Sequence, residues 1–264
     1  MTEHTTELLD GGLDGGQDAG HDPGQDQAVA LARAAIGTAG AHVVPGADVL
    51  RRLGADAARW STFAEHWDDL APDPYAARSG TQRWRRYGRF TATPDGRREP
   101  TRVEEFRQPH DSNRLFVDEA RRFEPLTEAF LADPVLDGVV SLLGELAAVL
   151  DDPPHWVVHV HPFRVLGSAE SRGDATPEGR HQDGVTLVSS LLVGRENATG
   201  GTSTVVDDDG HEILRTTLAE PATLLVGDDR RTWHGVDPIE PVDPEAPARR
   251  DVLVVTFMRP EESP

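Results

Sequence analysis

The sequence predicts an α+β fold in which an N-terminal helical layer packs against a C-terminal antiparallel β-barrel. Two observations support this prediction. Residues 27–150 are rich in Ala and Leu and have a mostly helical pattern broken by Pro and Gly. After Pro154 the chain changes to short β-rich runs separated by Gly, Asp and Pro. Many short strands at this spacing are typical of an antiparallel barrel or sandwich.

The N-terminal segment has a different composition from the rest of the chain. Residues 1–27 contain seven acidic residues and no basic residue, among repeated Gly and Gln. Such a segment has too little apolar surface to fold on its own. The sequence therefore predicts a disordered acidic tail at residues 1–27 and a single domain over residues 28–264.

The helical part is expected to cover residues 28–150. Apolar runs with helical spacing lie at residues 27–36, 47–69 and 116–150. Asp133-Pro134 is a stop and restart signal, so the last run is expected to contain helices at residues 123–132 and 134–150. Residues 84–90 alternate basic and aromatic side chains. This segment is predicted to be a strand at the contact between the helices and the barrel.

The β-barrel core is expected to cover residues 155–258. The β-rich runs lie at residues 155–166, 186–193, 201–206, 223–226 and 251–257. No internal repeat is visible, so these strands are expected to belong to one barrel.

Composition excludes several classes of function. The formal charge of −20 opposes binding to nucleic acid or to an anionic membrane. The absence of Cys excludes disulfides, thiolate metal sites and cysteine nucleophiles, so any metal must be held by His, Asp or Glu. No run approaches the ~18 apolar residues of a membrane span, and no signal peptide is visible. We expect a cytoplasmic protein whose partner is a small molecule.

A short motif offers metal ligands. In His181-Gln182-Asp183 the outer residues are two positions apart, so on an extended chain both side chains point to one face. His234 follows the apolar run at 223–226 and would supply a third ligand from another strand. Two histidines and one carboxylate form the facial triad of non-haem iron oxygenases. Taken alone, a motif of this length also occurs by chance on protein surfaces.

Arg250 adds to the triad. It begins the run 250–257, where strand alternation places Arg250, Val252, Val254 and Thr256 on one face. An arginine aligned with inward apolar residues requires a buried anion. A dicarboxylate such as 2-oxoglutarate would supply one. The alternatives are that Arg250 pairs with a structural Asp, or that Arg249 takes the role.

Four stretches of the C-terminal third resemble one family in the same order. They are PEGRHQDGV at 177–185, RENATGGTS at 195–203, LLVGDDRRTWHGV at 224–236 and RDVLVVTF at 250–257. Together they resemble the bacterial 2-oxoglutarate/Fe(II)-dependent dioxygenases that include the free L-isoleucine hydroxylases. Weaker similarity continues upstream around residues 73–87, 122–126 and 161–164.

The resemblance implies a double-stranded β-helix, which is a jelly-roll barrel of the cupin type. It implies that His181, Asp183 and His234 are the Fe(II) ligands and that Arg250 holds the distal carboxylate of 2-oxoglutarate. The implied reaction consumes O₂, releases succinate and CO₂, and hydroxylates an unactivated carbon. The related halogenases lack the carboxylate ligand, so Asp183 favours hydroxylation, while desaturation and cyclisation use the same oxidant.

The resemblance also implies that the substrate is a free amino acid or a close relative. Arg164 and Glu178 are candidates for binding it, and a structural ion pair is an equal alternative for Arg164. Thr202 replaces an expected acidic residue and Arg180 replaces an expected apolar one. These two departures allow a substrate different from that of the better-known members.

Other interpretations of the same residues remain open at this point. The chain could be a metal-binding cupin-like module without activity. It could also be a Zn²⁺-dependent hydrolase that uses the same triad, with Glu178 as the general base.

Two further groups of residues are weighed as metal sites and set aside. His155, His159 and His161 could form a second metal site, but hydrogen bonding at a barrel wall is favoured because no carboxylate accompanies them. The run Asp207-Asp208-Asp209-Gly210 is typical of a hairpin turn rather than a Ca²⁺ site.

Overall fold

The computed structural model describes residues 23–78, 80–93, 98–101, 105–106 and 120–260. The predicted disorder of residues 1–22 and the helical prediction for residues 116–119 lie outside the described residues. Helix α1 already begins at Pro23, inside the segment predicted to be a tail.

The described residues form six α-helices and fourteen strands. The helices are α1 Pro23–Thr38, α2 Gly46–Leu53, α3 Ala57–Ala64, α4 Pro74–Ala77, α5 Glu128–Leu131 and α6 Pro134–Ala147. The strands are β1 Ala41–Val44, β2 Ala71–Pro72, β3 Gln82–Arg85, β4 Gly88–Ala92, β5 Arg98–Thr101, β6 Trp156–Gly167, β7 Leu187–Glu196, β8 Ala198–Gly200, β9 Thr202–Val206, β10 Glu212–Thr217, β11 Leu224–Asp228, β12 Trp233–Val236, β13 Ile239–Pro241 and β14 Ala248–Met258.

A large antiparallel sheet forms one wall of a barrel. Its order is β1-β11-β7-β14-β6-β3-β2, and β4 pairs with both β6 and β5. A second sheet, β10-β9-β12, forms the facing wall, and β13-β8 is a short ribbon. The long central strands β6 and β14 pair over eleven residues. They therefore provide the rigid frame on which side chains at the barrel interior are positioned.

Strand β14 is buried on both faces, which explains its almost continuous apolar sequence. Leu253, Val255 and Phe257 are at most 1% exposed and pack in a core with the helices. The alternate residues point into the barrel, because side chains alternate across a strand. Burial of one such side chain stabilises the fold by roughly 1.5–3 kcal/mol.

Helix α6 supports this sheet from outside. It begins where Asp133-Pro134 predicts: the Asp133 carboxylate accepts a hydrogen bond from the Val135 amide, and Pro134 occupies the first turn. Leu136, Leu143 and Leu146 are fully buried against the same core. The prediction of a helix that restarts at residue 134 is confirmed.

The predicted helix at 123–132 is mostly wrong. Only Glu128–Leu131 is helical, capped by the Thr127 hydroxyl, which accepts a hydrogen bond from the Phe130 amide. The preceding residues run alongside Tyr87, whose amide donates to the Glu124 carbonyl. Pro125 has no amide hydrogen to donate to a helix. Tertiary pairing therefore overrides the helical pattern here.

The prediction that the chain is helical up to about residue 150 and forms strands only after it is also too simple. Strand β1 pairs with β11, and β3 and β4 pair with β6, so the N-terminal half contributes strands to the barrel sheet. These strands have four or five residues each. The strand predicted at residues 84–90 is present in part, as the end of β3 and the start of β4, which are separated by Arg86 and Tyr87. Strand β1 is too short to show a clear period. Within the described residues, no helix is long and apolar enough to cross a membrane.

Candidate active site

The barrel encloses a cavity of about 170 Å³ between the two sheets. Its wall includes Arg250, Val252, Val254 and Thr256 of β14, so the predicted inward face of this strand is the cavity face. The three predicted metal ligands, His181, Asp183 and His234, also line this cavity. Both parts of the sequence prediction therefore meet in one space.

The predicted triad is brought together by strand pairing. His181 and His234 form an isolated antiparallel bridge, with each amide donating to the other's carbonyl at 2.9 and 3.0 Å. The Asp183 carboxylate lies 3.7 Å from His181 Nε2 and 3.6 Å from His234 Nε2. One ligand atom from each residue lies within 4.8 Å of the others. This arrangement fits a single divalent cation.

Each imidazole has an oxygen atom beside its other nitrogen, within hydrogen-bond distance for His181 and slightly farther away for His234. His181 Nδ1 lies 3.0 Å from the Gly179 carbonyl, which leaves Nε2 directed at the triad. His234 Nδ1 lies 3.5 Å from Asp229 Oδ1. The other Asp229 oxygen accepts hydrogen bonds from the Gly184 and Val185 amides. Such outer partners fix the tautomer and direction of metal-binding histidines.

The triad favours a cation electrostatically. Burial alone would lower the pKa of His181, but Asp183 and Glu178 offset this and raise that pKa to about 9. Burial would raise the pKa of Asp183, yet the two histidines hold it at about 2. In the metal-free protein, a proton on His181 thus supplies the positive charge beside the Asp183 and Glu178 carboxylates that a metal ion would otherwise supply.

Arg250 is buried without an anion among the described residues. It is 2% exposed, and its Nε and Nη2 atoms have no hydrogen-bond partner. Burial, followed by repulsion from Arg195, lowers its pKa to about 10, so it remains charged at neutral pH. A buried cation of this kind is stable only with an anion beside it. The sequence alternative of a structural Asp partner finds no support here.

Gly201 shapes the space around this arginine. It has a φ of +67°, and a Cβ at this position would lie 3.0 Å from Arg195 Nη1 and 3.6 Å from Arg250 Cδ. Gly200, also with positive φ, would place a Cβ 2.3 Å from the Pro238 carbonyl. The glycine pair therefore forms a tight connection that packs against the cation end of the cavity.

Arg249 and Arg164 lie on the other face of the sheet. Arg249 pairs with Glu196 at 2.9 Å. Arg164 faces Asp251 across β6 and β14 and donates two hydrogen bonds of 2.9 Å to its carboxylate. Arg164 is absent from the cavity wall. The structure thus favours the ion-pair interpretation of Arg164 over substrate binding.

Glu178 lines the cavity, and its carboxylate lies 3.7 Å from His181 Nε2. It therefore stays a candidate for contact with a ligand. Thr202 and Arg180, the two residues that depart from the pattern of the family, do not line the cavity. The Thr202 hydroxyl bonds that of Thr217, and Arg180 packs on Gly235.

Sequence reasoning missed the wall formed by β3 and β6. His159 and His161 line the cavity together with Arg83, Arg85 and nearby aromatic rings. Two signals were present: the histidines at period 2 in residues 155–166, and the alternating basic and aromatic residues at 84–90. Neither signal alone predicts that the two strands pair, as Arg85 and Phe163 do.

The acidic run at 207–209 forms the turn that the sequence predicts. Asp207 Oδ1 accepts hydrogen bonds from the Asp209 and His211 amides between β9 and β10. Asp207, Asp209 and His211 are close enough together to hold a cation, but the last two are exposed. Their geometry is that of a hairpin connection.

Comparison with known proteins agrees with this geometry. A family model described as 2OG-Fe dioxygenase matches residues 64–256. A 3(1)-hydroxy-L-isoleucine 4-dioxygenase from Pantoea ananatis is 25% identical over 203 residues, covering 74% of this chain and 79% of that protein.

Solved structures share the fold. A bsmA homolog from Methylobium petroleophilum superposes with a TM-score of 0.80 at 33% identity, covering 88% of this chain and 93% of the other. The IDO from Bacillus thuringiensis superposes with a TM-score of 0.72 at 19% identity, covering 88% and 96%. The jelly-roll fold is thereby confirmed.

The donor set of the triad and the buried, unpaired Arg250 fit Fe(II) and a dicarboxylate respectively. The family uses Fe(II), 2-oxoglutarate and O₂. Because the family model spans most of the chain and the site offers the groups that this chemistry needs, the protein belongs to the 2OG-Fe dioxygenase family and is a 2-oxoglutarate-dependent iron dioxygenase.

Proposed function

We propose that this dioxygenase hydroxylates an unactivated carbon of a free amino acid or a closely related small molecule. In this proposal His181, Asp183 and His234 hold Fe(II), and Arg250 binds the distal carboxylate of 2-oxoglutarate. The observation that carries the proposal is the buried Arg250, which lines the same cavity as the triad. Two of its guanidinium nitrogens have no hydrogen-bond partner in the part of the chain that the structure describes.

The bound Fe(II), 2-oxoglutarate and O₂ supply the oxidation of a C–H bond, with release of succinate and CO₂. The residues of the chain provide position and environment. Asp183 supplies the anionic ligand, which favours hydroxylation. Arg250 fixes one end of the cosubstrate by charge-assisted hydrogen bonds. Val252 and Val254 keep the intervening wall apolar, which strengthens these electrostatic contacts.

The substrate class rests on similarity and on the cavity. The relative from Pantoea ananatis is named as acting on a hydroxylated L-isoleucine. A cavity of about 170 Å³ suits a small molecule beside the cosubstrate. The non-catalytic module and the Zn²⁺ hydrolase that the sequence leaves open both lack a role for Arg250, and the family assignment favours neither.

In the test, Fe(II) and 2-oxoglutarate are added to the protein under anaerobic conditions, and the absorbance of the visible charge-transfer band is measured. We expect a band in the wild-type protein, loss of the band in Asp183→Ala, and a 2-oxoglutarate affinity at least tenfold weaker in Arg250→Gln. Arg249→Gln is the matched control, because this neighbouring arginine lies outside the cavity and should keep the wild-type affinity. Exposure to O₂ with a panel of L-amino acids should then release succinate.

Two results would contradict the proposal. A wild-type protein without the band would remove the iron and cosubstrate assignment. A panel in which no amino acid stimulates succinate release, despite a normal band, would remove the substrate class.

A further inference from the structure

The cavity wall carries two further arginines that are each 4% exposed, Arg85 and Arg121, and Arg85 lies on a different strand from Arg250. Arg85 lies at the end of β3, in register with Phe163 of β6. It is 4% exposed and lines the cavity. His161 and His159 follow on the same face of β6. The proposed function gives no role to this wall, which is formed by Arg85, His161 and His159.

The partners of Arg85 do not neutralise it fully. Its Nη2 atom bonds His161 Nδ1, and its guanidinium lies 3.7 Å from the centre of the Phe123 ring and 4.4 Å from that of Phe163. Its Nε atom has no hydrogen-bond partner among the described residues. The Asp73 carboxylate lies 4.0 Å from Arg85 Nη1, measured to Asp73 Oδ2.

Asp73 is already committed to other groups. It receives two contacts of 2.9 Å from Arg83, and its other oxygen accepts the Tyr75 and Ala76 amides at the start of α4. One carboxylate is therefore shared between two arginines. Burial, and then repulsion from Arg83, hold the pKa of Arg85 well below its usual range. An anion from outside the chain would relieve this cost.

His159 adds a polar group to the same cavity wall as Arg85. It is 6% exposed, and its Nε2 atom has no hydrogen-bond partner among the described residues. Burial lowers its pKa to about 4, so the ring is neutral at neutral pH. His159 lines the same cavity as the three residues of the triad. Tyr87 and Phe106 pack edge-on against it, each with a ring centroid 5.7 Å away.

We propose that Arg85 binds the carboxylate of the oxidised substrate, and that His159 Nε2 makes a hydrogen bond to a second polar group of the same molecule. The substrate class is a small carboxylic acid with a nearby hydrogen-bonding group, as in a zwitterionic amino acid. This proposal rests on the proposed function, and it assigns separate cations to the two carboxylic acids: Arg250 to the cosubstrate and Arg85 to the substrate.

The first experiment compares Arg85→Gln with Arg86→Gln. Arg86 is the matched control, because it is adjacent, carries the same charge and binds the Asp69 and Pro125 carbonyls outside the cavity. The probe is the L-amino acid that releases most succinate from the wild-type protein. Arg85→Gln should raise KM for this probe by about 10- to 100-fold and leave the anaerobic band and KM for 2-oxoglutarate unchanged. Arg86→Gln should leave all three at wild-type values.

The second experiment needs no variant, so it remains decisive if Arg85→Gln does not fold. The wild-type protein is given the same amino acid and its carboxamide, which has no negative charge. Succinate release with the carboxamide should have a kcat/KM at least tenfold lower.

A third comparison tests His159. His159→Gln, which keeps a hydrogen-bonding side chain, should lose less activity than His159→Leu.

The outcomes separate this proposal from the proposed function. Absence of the band in the wild-type protein overturns both. A normal band with an unchanged KM in Arg85→Gln overturns this proposal alone. An equally active carboxamide does the same. A panel in which no carboxylic acid stimulates succinate release, despite a normal band, overturns this proposal together with the proposed substrate class.

Discussion

Asp229 Oδ1 lies 3.5 Å from His234 Nδ1, while the other Asp229 oxygen binds the two amides that follow Asp183. One buried carboxylate thus connects the strand that carries the distal histidine to the loop that carries the other two ligands. Neither Asp229 Oδ1 nor His234 Nδ1 has a hydrogen-bond partner among the described residues, so each atom is left facing the other. We infer that Asp229 is a positioning residue for the triad.

Asp229→Asn should therefore weaken metal binding. Outer partners of metal-binding histidines typically contribute about 10- to 100-fold in affinity, and a loss in that range is expected. Calorimetric titration with Co(II) measures it without turnover. Asp237→Asn is the control, because this exposed carboxylate pairs only loosely, at 3.5 Å, with Arg215. Equal Co(II) affinity in both variants would contradict the positioning role.

Gly201→Ala should weaken binding of 2-oxoglutarate. The new methyl group would meet Ile239 Cγ2 at 2.9 Å and Arg195 Nη1 at 3.0 Å, and would shift the Arg195 guanidinium, whose charge acts on Arg250. The expected change is a several-fold higher KM for 2-oxoglutarate at constant metal affinity. Gly210→Ala is the control, since its φ of +83° imposes the same backbone strain, roughly 1–2 kcal/mol, in open space. If both variants change KM equally, strain and not contact is the cause.

Metal affinity should rise with pH. Because the pKa of His181 is raised to about 9, its ring is protonated at neutral pH in the metal-free protein. A metal ion must displace that proton, so apparent affinity should increase by about tenfold per pH unit between pH 6.5 and 9. Calorimetry of Co(II) binding in two buffers of different ionisation enthalpy measures the released proton. Zero release at pH 7.5 would contradict this prediction.

The metal-free protein should show the opposite trend. A raised folded-state pKa means that the stability contributed by protonated His181 is fully present below about pH 6.5 and is lost as the pH rises through about 9. Thermal unfolding with and without Co(II) should therefore show a difference in Tm that widens across this interval. A constant difference would show that His181 is not the responsible group.

Arg164→Ala should reduce stability rather than substrate affinity. Its two hydrogen bonds to buried Asp251 are lost, which should lower the free energy of unfolding by about 2–3 kcal/mol. Arg249, 3.7 Å from Asp251, limits the loss. Urea unfolding measures the change. A raised KM for the amino acid with normal stability would restore Arg164 as a substrate-binding residue.

The C-terminal strands and the triad were predictable because each depends on a local pattern. Strand alternation in residues 250–257 gave the cavity face of β14, and the i and i+2 spacing of His181 and Asp183 gave their common direction. Asp133-Pro134 likewise gave the start of α6, through a cap that involves adjacent residues.

What could not be predicted depends on pairing between distant segments. The choice between Arg164 and Arg85 depends on two registers. That of β3 against β6 pairs Arg85 with the cavity residue Phe163, and that of β14 against β6 places Arg164 opposite Asp251. Strand β1 is too short to show a period, and the extended path of residues 123–126 depends on Tyr87. These features follow from contacts that no local pattern contains.

Strand β14 presents Arg249, Arg250 and Asp251 to alternating faces, so the charge at the Arg250 end of the cavity depends on which residues of the strand point inward. A slip of one residue would turn every side chain over. It would carry the Asp251 carboxylate into the space that Arg250 occupies and convert an anion-attracting end into an anion-repelling one. A single-residue deletion ahead of β14 is therefore a change of binding chemistry as well as of packing.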